Sequence, residues 1–521
     1  MGQKFIIDPV TRIEGHLKIE CEMDGGRITN AKCCSEMFRG WEIILQERSP
    51  LDAPHICSRI CGVCPTAHTQ AACHNLDNAF GINAPENGRL IRNLILGSNY
   101  LQSHILHFYH LAALDYVDIT AILNYQGRDS GLIKVKNWAE KELKNNKIGG
   151  VSPFLPRYEG KDFYISDQDL NIAAISHYIQ ALDMRKKAQE ALAIWGGKMP
   201  HVMTNVPGGV TEKPTADKVA SFIWRMRELQ GFIENVYIPD VLAVASAYSQ
   251  YFTIGKGSGN LLSYGVFWED LKGNNKLFSP GVYVDGKPDQ LAPNKIKEYV
   301  KYSKYADQCG NKHPSDGLTV PTPQKAEAYT WSKTPRYDEK VVEVGPLARM
   351  AVTHLLGKNQ QVSDLVNSTL QKFNAPVTAL FSVLGRHAAR ALEAKVVVDR
   401  CIEWAMMLQP GQPVYTHYDI PNSATGMGLT EAPRGALGHW ITIENKVIKN
   451  YQCVVPTTWN VSPLDDRGEH GPVEQALIGT PISDVNNPIE AVRVVRSFDP
   501  CIACTVHLIT PDEKIRKFKI N

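Results

Sequence analysis

Two short cysteine motifs, near opposite ends of the 521-residue chain, are the part of the sequence best suited to chemistry. Residues 59–64 read RICGVC, and residues 499–507 read DPCIACTVH. Together they supply four thiols: Cys61, Cys64, Cys501 and Cys504. Four thiolates form a soft ligand set that selects zinc, copper(I), nickel or iron–sulfur. The sequence therefore predicts that folding brings the two ends of the chain together around a metal.

A structural zinc site with four cysteine ligands is the commonest use of two such pairs. Zinc ribbons are local in sequence, however, whereas these pairs are far apart. Each pair is also followed by a histidine, His68 or His507, placed to support a metal ligand from outside the coordination sphere. The other eight cysteines are predicted, with one exception, to be small buried hydrophobic residues.

Composition excludes several classes of function. The net charge is +2, with 43% hydrophobic and 21% charged residues, so there is no basic footprint for nucleic acid or a membrane surface. No uncharged apolar run is long enough to span a bilayer. Charged residues from Asp8 to Glu14 interrupt any signal-peptide core, so we expect no export signal in this chain, while export together with a partner remains open.

The positions that must bring the thiols together are predicted to be mostly helical. Apolar spacing over 87–118 predicts a long central helix, in which the histidines of 102–110 are core residues and not metal ligands. A helix is also expected to open within 38–45. Further helices are predicted over 170–195, 214–248, 345–357, 362–373 and 376–408.

Strands are expected at the edges of this helical core. Alternation over 5–35, interrupted by Asp-Gly-Gly at 24–26, predicts a hairpin. Short strands are predicted within 440–461. The range 255–340 is rich in Gly, Pro, Asn and Lys and is predicted to be a peripheral insertion of loops and a small sheet. The predicted class is mainly α with peripheral β (α+β), a bundle of long central helices with small edge sheets.

The motifs resemble those of nickel–iron hydrogenase large subunits. RICGVC matches that family's RxCGxC, and DPCIACTVH matches its DPCxxCxxH. Residues 12–16 (RIEGH), 197–201 (GKMPH) and 431–435 (EAPRG) are similar to further family blocks. The resemblance extends from residue 5 to residue 507 and implies the large-subunit hydrogenase fold.

The resemblance implies a nickel bound by all four thiolates. Cys61 and Cys501 would be terminal ligands, whereas Cys64 and Cys504 would bridge to an iron that carries one carbonyl and two cyanides. The implied reaction is reversible heterolytic cleavage of H2 to protons and electrons. The candidate bases are a terminal thiolate and Arg434.

Further roles follow from the resemblance alone. Glu14 would relay the proton from the cysteine, and Asp499 would pair with Arg434. Ser103 stands where many relatives have an aspartate, which would leave the arginine less fully paired. The plain cysteine at 501 excludes the selenocysteine variant. Pro433 and Thr457 would line the diatomic-ligand pocket, Val63 and Leu111 would narrow a gas channel, and His68 would support the centre.

A second metal site, for magnesium or iron, is implied by the same resemblance. Its protein ligands would be Glu42, the backbone carbonyl of Cys453 and the imidazole of His507. In the family a tail after this histidine is removed once nickel is loaded. Residues 1–507 would then be one domain and 508–521 a maturation peptide, so this sequence would be the precursor that a maturation protease and nickel-insertion factors process.

With four cysteines assigned to the metals, no iron–sulfur motif remains, so electrons are expected to leave through an iron–sulfur small subunit. Residues 102–110 resemble periplasmic or membrane-associated types, exported with that subunit from a cytoplasmic precursor. The alternatives are a hydrogen-sensing regulatory hydrogenase and a structural four-cysteine zinc protein. A relative from respiratory complex I, without nickel, is disfavoured because Glu14 and all four thiols are present.

Overall fold

The structure, a computed structural model, describes residues 3–144 and 163–505. The helices are α1 (Trp41–Ile44), α2 (Ala53–Cys57), α3 (Pro65–Phe80), α4 (Glu86–Ile105), α5 (Ser130–Lys144), α6 (Gln168–Gly196), α7 (Ala216–Phe232), α8 (Ile238–Ala247), α9 (Pro346–Leu355), α10 (Gln360–Lys372), α11 (Val383–Met407), α12 (Pro456–Asn460), α13 (Pro472–Leu477), α14 (Ile489–Ser497) and α15 (Ile502–Thr505). The strands are β1 (Gln3–Ile7), β2 (Leu17–Asp24), β3 (Arg27–Ser35), β4 (Asn205–Val206), β5 (Gly209–Val210), β6 (Leu261–Ser263), β7 (Val266–Trp268), β8 (Lys276–Phe278), β9 (Gly281–Val284), β10 (Lys287–Asp289), β11 (Ile296–Tyr299), β12 (Thr334–Tyr337), β13 (Ser423–Ala432), β14 (Gly435–Glu444) and β15 (Val447–Val454).

Long helices form the centre, as predicted. Helix α4 is buried along almost its whole length and packs against α6 and α11, while α7 packs against both of these. A helix enclosed on all sides needs apolar residues around its circumference, which explains the broad apolar pattern of 87–118. The predicted helices thus lie in a bundle whose interior is continuous with the segments that carry the thiols.

The predicted central helix is not α-helical to its end. It changes to a π-helix over Leu106–Ala112, and a second π-helix, Ile233–Tyr237, separates α7 from α8. A π turn accommodates an extra residue and re-aims the side chains that follow. In the first of them, His107 Nε2 lies 2.7 Å from the carbonyl oxygen of Arg496 on α14. The wider turn therefore connects the bundle to the segment that leads into the second cysteine motif.

Small antiparallel sheets lie around the bundle. Strands β1, β2 and β3 form one sheet, and the β2–β3 turn is Gly25-Gly26 with both φ angles positive (55° and 75°), the geometry that the Asp-Gly-Gly signal predicted. Strands β13, β14 and β15 form another. The range 255–340 contains the short strands β6 to β12 joined by loops. The class predicted from the sequence, mainly α with small edge sheets, is correct.

The sequence patterns identified neither α3 nor β13, although the two pack closely together. Helix α3 is buried yet polar, so it lacks an apolar stripe. Strand β13 contains Gly426 and Gly428, which weaken a strand signal. A Cβ at Gly426 would lie 2.3 Å from the Asn75 carbonyl oxygen, and one at Gly428 would lie 2.2 Å from that of Ala71. The glycines are needed because the helix backbone lies directly against the strand.

Within residues 3–144 and 163–505, no helix combines the length and the apolar character needed to cross a bilayer.

Candidate metal centre

The four thiols of the two motifs meet in the interior. The Sγ atoms of Cys61 and Cys501 are 3.3 Å apart, those of Cys64 and Cys504 are 3.4 Å apart, and those of Cys501 and Cys504 are 2.9 Å apart. All four side chains are buried, and their sulfur atoms lie within 4.8 Å of one another. This spacing allows one ion, or a pair of ions, to contact every sulfur.

Local backbone structure fixes the first pair. Cys61 is extended and follows a 3-10 turn, and Cys64 is the residue before α3, which begins at Pro65. Backbone N–H groups of Val63 and Cys64 donate to the Cys61 sulfur at 3.2 and 3.4 Å. Such donors stabilise a thiolate, because they place partial positive charge at the sulfur. The loop is therefore built around Cys61 as an anion.

The second pair sits where α14 ends and α15 begins. Asp499, just before it, has a positive φ of 54°, which turns the chain sharply inward. The N–H of Cys501 donates to Thr457 Oγ1 at 3.0 Å. Arg39 donates to the carbonyl oxygens of both Ile60 and Ala503 and so joins the two motif segments directly. The sequence patterns had given no role to Arg39, although it stands three residues before Glu42.

The donor set fits a soft metal. Hydrogen bonds from the neighbouring thiols lower the pKa of Cys61 well below its ordinary value, whereas burial raises the pKa of Cys501 and of Cys504. Four thiols this close share protons, and a soft cation releases those protons by replacing them. A buried cluster of sulfur atoms without such a cation is poorly stabilised.

Glu14 lies against the second pair, from the loop between β1 and β2. Its Oε2 accepts hydrogen bonds from Cys501 Sγ at 3.2 Å and from the Ala503 N–H at 2.7 Å. The backbones also pair, because the Ile502 N–H donates to the Glu14 carbonyl oxygen at 2.8 Å. Burial, followed by the Cys61 charge, raises the pKa of Glu14. A half-buried carboxyl with a raised pKa, touching a thiol, is suited to proton exchange with it.

Arg434 stands in the two-residue turn between β13 and β14 and is almost completely buried. Its Nη2 donates to Asp499 Oδ1 at 2.9 Å, and its Nη1 donates to Ser103 Oγ at 3.3 Å. Burial alone would lower the pKa of Arg434, but the charges of Asp499 and the thiolates outweigh it and raise that pKa well above its ordinary value. The guanidinium is therefore a permanent cation beside the sulfurs.

A fully buried ion cluster holds this turn in place. Arg349 on α9 forms ion pairs with Glu393 (Nε–Oε1 2.5 Å) and Glu431 (Nη1–Oε2 2.7 Å). Its guanidinium also donates to the carbonyl oxygens of Ala432 and Pro433, at 3.0 and 2.8 Å. Of the three charged residues, only Glu431 belongs to a recognised motif, so the cluster could not be predicted from the motifs.

The histidines of α4 and its π extension have separate partners. His104 Nε2 lies 2.7 Å from Glu393 Oε2, and His107 contacts a backbone carbonyl oxygen. His110 Nε2 lies 3.4 Å from the Tyr178 carbonyl oxygen. The prediction that these are core histidines is confirmed.

The described residues include two of the three predicted ligands of the second metal site. Glu42 Oε1 accepts from the N–H of Cys453 at 3.0 Å, and Glu42 Oε2 accepts from the Thr319 hydroxyl. The buried pair of Lys333 and Glu298 (3.2 Å) lies beside them, and Lys333 also donates to Gln452, the neighbour of Cys453. His507, the third predicted ligand, and the predicted peptide 508–521 lie outside the described residues.

Among the remaining candidates, Thr457 contacts the backbone of Cys501, and Pro433 borders Arg434. The carbonyl oxygen of Val63 accepts from Asn99 and Gln102, at 3.3 and 3.1 Å, which fixes the first cysteine loop to α4. The carbonyl oxygen of Leu111 accepts from Arg12 at 3.0 Å. His68, on the first turn of α3, is completely buried.

Comparison with known proteins agrees with this arrangement. A family model described as nickel-dependent hydrogenase matches residues 39–507, and one described as HoxL-like matches residues 4–34. The chain belongs to the nickel-dependent hydrogenase family. As a hydrogenase large subunit of that family, it is an oxidoreductase that acts on H2 at a nickel centre.

Alignments with known hydrogenases cover almost the whole of this chain. The periplasmic [NiFeSe] hydrogenase large subunit of Desulfomicrobium baculatum is 44% identical over 97% of this chain and 95% of its own. The hydrogenase-2 large chain of Escherichia coli K12 is 37% identical over 98% of both chains. A solved [NiFeSe] hydrogenase from Dm. baculatum superposes with a TM-score of 0.87 at 44% identity, covering 97% of this chain and all of the other. The predicted large-subunit fold is correct.

Proposed function

We propose that this chain is the catalytic subunit of a nickel–iron hydrogenase that cleaves H2 reversibly and heterolytically at the four-cysteine centre. The observation that carries the proposal is the buried set of four sulfur atoms within 4.8 Å of one another, with a carboxylate oxygen 3.2 Å from one of them. Cys61 and Cys501 are proposed as terminal ligands of nickel, and Cys64 and Cys504 as bridges to iron. Bound there, the metal pair would polarise H2 and take up its two electrons.

The proton is proposed to leave through Cys501 and Glu14. Glu14 Oε2 is in hydrogen-bond contact with the Cys501 sulfur at 3.2 Å, so a proton on that sulfur has an acceptor within reach. The raised pKa of Glu14 brings the carboxyl closer to the thiol in proton affinity, which favours transfer between the two. Arg434 is the weaker candidate base because its pKa is raised, so it would have to give up a proton that its surroundings stabilise.

Arg434 is instead proposed to stabilise charge. Its guanidinium remains cationic beside the thiolates, and Asp499 holds it in one orientation. Pro433 and Thr457 are proposed to border the pocket for one carbonyl and two cyanides on iron. Glu42, the Cys453 carbonyl oxygen and His507 are proposed to bind a second metal, magnesium or iron.

The proposal extends to assembly. An iron–sulfur small subunit would receive the electrons, and the relatives' names, which include periplasmic, uptake and quinone-reactive hydrogenases, favour a periplasmic or membrane-associated complex. Residues 1–507 would form the working domain. Residues 508–521 would be removed by a maturation protease after nickel-insertion factors have acted.

The test uses the tail-processed complex with its small subunit. H2 uptake, nickel and iron content and the infrared spectrum are measured on one preparation. We expect H2-dependent dye reduction, one nickel per large subunit and metal-bound carbonyl and cyanide bands. Zinc in place of nickel, without those bands and without uptake, would contradict the proposal and favour the structural zinc alternative. Slow turnover with nickel present would favour a hydrogen sensor.

A further inference from the structure

A fully buried chain of hydrogen bonds leads away from the metal centre through His68. His68 Nδ1 lies 3.4 Å from His439 Nε2, and His439 Nδ1 lies 2.8 Å from the hydroxyl of Tyr451. The thiol of Cys57 lies 3.5 Å from the same hydroxyl. All four side chains have no solvent exposure. His68 lies on α3, His439 and Tyr451 lie on the adjacent strands β14 and β15, and Cys57 lies on α2. The hydrogen-bond chain is therefore assembled by tertiary packing alone.

The contact between His68 Nδ1 and His439 Nε2 needs one of the two nitrogens to accept, so the geometry calls for a neutral imidazole, and burial favours the neutral form of both rings. Burial lowers the pKa of His68 to about 4 and that of His439 well below its ordinary value. A neutral imidazole has one N–H donor and one acceptor nitrogen. In a continuous chain, the tautomer of one ring therefore fixes the tautomer of the next, and the whole chain has a single direction.

The thiol cluster decides which direction is favourable. His68 Nε2 is buried and has no hydrogen-bond partner among the described residues, and the His68 side chain interacts electrostatically with Cys61. Negative charge on sulfur favours an N–H at Nε2 over a lone pair. His68 Nδ1 must then accept from His439 Nε2–H, and His439 Nδ1 must accept from the Tyr451 hydroxyl.

We propose that Tyr451 and His439 are positioning residues that hold His68 in the tautomer presenting its Nε2–H to the thiolate cluster. This inference rests on the proposed function, because it requires thiolates that bind metal. Hydrogen bonds to sulfur withdraw electron density from it and raise the reduction potential of the metal it binds. Tyr451 would thus influence the reduction potential of the metal centre although it is two hydrogen bonds away from His68. At the far end of the hydrogen-bond chain, the Cys57 thiol would donate to the Tyr451 hydroxyl.

A metal at the far end is the competing explanation. Cys57, His439 and Cys453 can bring their ligand atoms within 4.8 Å of one another. Both ring nitrogens of His439 are already hydrogen-bonded, however, so a metal there would have to displace His68 or Tyr451. The hydrogen-bonded arrangement leaves neither ring nitrogen of His439 available as a ligand.

The test compares two tyrosine variants in the mature complex. Tyr451→Phe removes the hydroxyl at the far end of the chain. Tyr248→Phe, the matched control, removes a buried hydroxyl that donates to the Phe163 carbonyl oxygen at 3.0 Å. The readout is the midpoint potential at which the electron paramagnetic resonance signal of oxidised nickel appears. We expect Tyr451→Phe to shift that potential to lower values with the KM for H2 unchanged, and Tyr248→Phe to leave it at the wild-type value.

Variants at His439 test the same hydrogen-bond chain without removing the Tyr451 hydroxyl. His439→Leu breaks the chain and is expected to shift the potential in the same direction. His439→Gln is expected to keep it near wild type, since an amide oxygen can accept from Tyr451 while the amide N–H donates to His68. If His439→Leu does not fold, Tyr451→Phe and His439→Gln still give opposite expectations.

Two results would overturn the inference while leaving the proposed function intact. One is a nickel potential that is the same in Tyr451→Phe and Tyr248→Phe. The other is one equivalent of zinc per chain that is lost in Cys57→Ser, since the cluster would then be a metal site. A wild-type complex without any nickel signal would instead overturn the proposed function and this inference together.

Discussion

Glu14 and Cys501 are in direct contact although they are 487 positions apart in the sequence: Glu14 Oε2 accepts a hydrogen bond from Cys501 Sγ at 3.2 Å. The same carboxylate oxygen accepts from the Ala503 N–H at 2.7 Å, so it cannot move away from the sulfur without losing a second bond. This contact joins the loop between β1 and β2 to the segment that enters α15, the last helix among the described residues. It gives a proton on the sulfur an immediate acceptor.

Glu14→Gln should reduce H2 turnover by roughly 100-fold or more, the scale of a lost acid–base group. Nickel content should not change, because the amide can keep the hydrogen bond from Ala503. H2 uptake and nickel per chain are measured on the same preparation. The control, Glu140→Gln, changes an exposed carboxylate on α5 and should retain full turnover. Unchanged turnover in Glu14→Gln would exclude the proton relay.

Cys61→Ser should abolish nickel retention, since it replaces the sulfur that accepts two backbone N–H groups and anchors the first motif. Serine is a hard and far less acidic ligand, which nickel in a thiolate site does not tolerate. Elemental analysis of the purified complex gives the result. Cys401→Ser, at a fully buried thiol outside the cluster, should keep nickel even if stability falls. Equal nickel in both variants would show that the cluster does not bind it.

Asp499→Asn should destabilise the protein by about 3–5 kcal/mol, because it leaves the buried Arg434 charge without its carboxylate. Ser103 lies 3.3 Å from the other Nη of the same guanidinium, so Ser103→Asp can supply a replacement charge. The double variant should therefore recover part of the lost stability. Denaturant unfolding of the wild type, the two single variants and the double variant measures this coupling. Additive losses in the double variant would mean that Ser103 and Arg434 do not interact.

Acid should weaken the Arg349–Glu393 cluster. Burial alone would raise the pKa of Glu393, but Arg349 and His104 outweigh it and lower that pKa from 4.5 to about 2. A carboxylate whose pKa falls on folding adds stability above its unfolded pKa and loses it as the pH drops towards the folded one. The shift corresponds to about 3 kcal/mol lost between pH 4.5 and about 2.

The check is the pH dependence of unfolding in Glu393→Gln. This variant should be less stable at neutral pH and show a shallower fall in stability on acidification. Glu403→Gln, at an exposed carboxylate on the same helix, should follow the wild-type curve. A Glu393→Gln curve parallel to that of the wild type would contradict the assigned shift.

Glu42→Gln should remove the second metal and leave nickel in place. The change takes away a carboxylate that is fixed by the Cys453 N–H and the Thr319 hydroxyl. Magnesium and iron per chain are measured beside nickel. The exposed carboxylate of Glu444 on β14 offers the control variant Glu444→Gln. Retention of the same magnesium and iron content after Glu42→Gln would exclude a metal at this carboxylate.

The sequence by itself identified the chemistry of the centre and the class of the fold. Four thiols in two CxxC pairs define a soft donor set through residue type and local spacing. The helices of the core and the Asp-Gly-Gly hairpin are also local signals, since periodicity and turn chemistry act over a few residues. The pairing of Arg434 with Asp499 was expected because both stand in recognised motifs, and it is present at 2.9 Å.

Only the tertiary structure decided what surrounds that donor set. Helix α3 and strand β13 were not predicted from the sequence patterns. Their residues suit a close contact between the two backbones and do not form the apolar stripe by which a helix or strand is recognised. Arg39, the Arg349–Glu393 pair and the chain from His68 to Cys57 join positions that are far apart along the chain. A buried polar atom needs a partner, but its own sequence neighbourhood does not specify which segment provides it. Packing of the whole chain makes that choice.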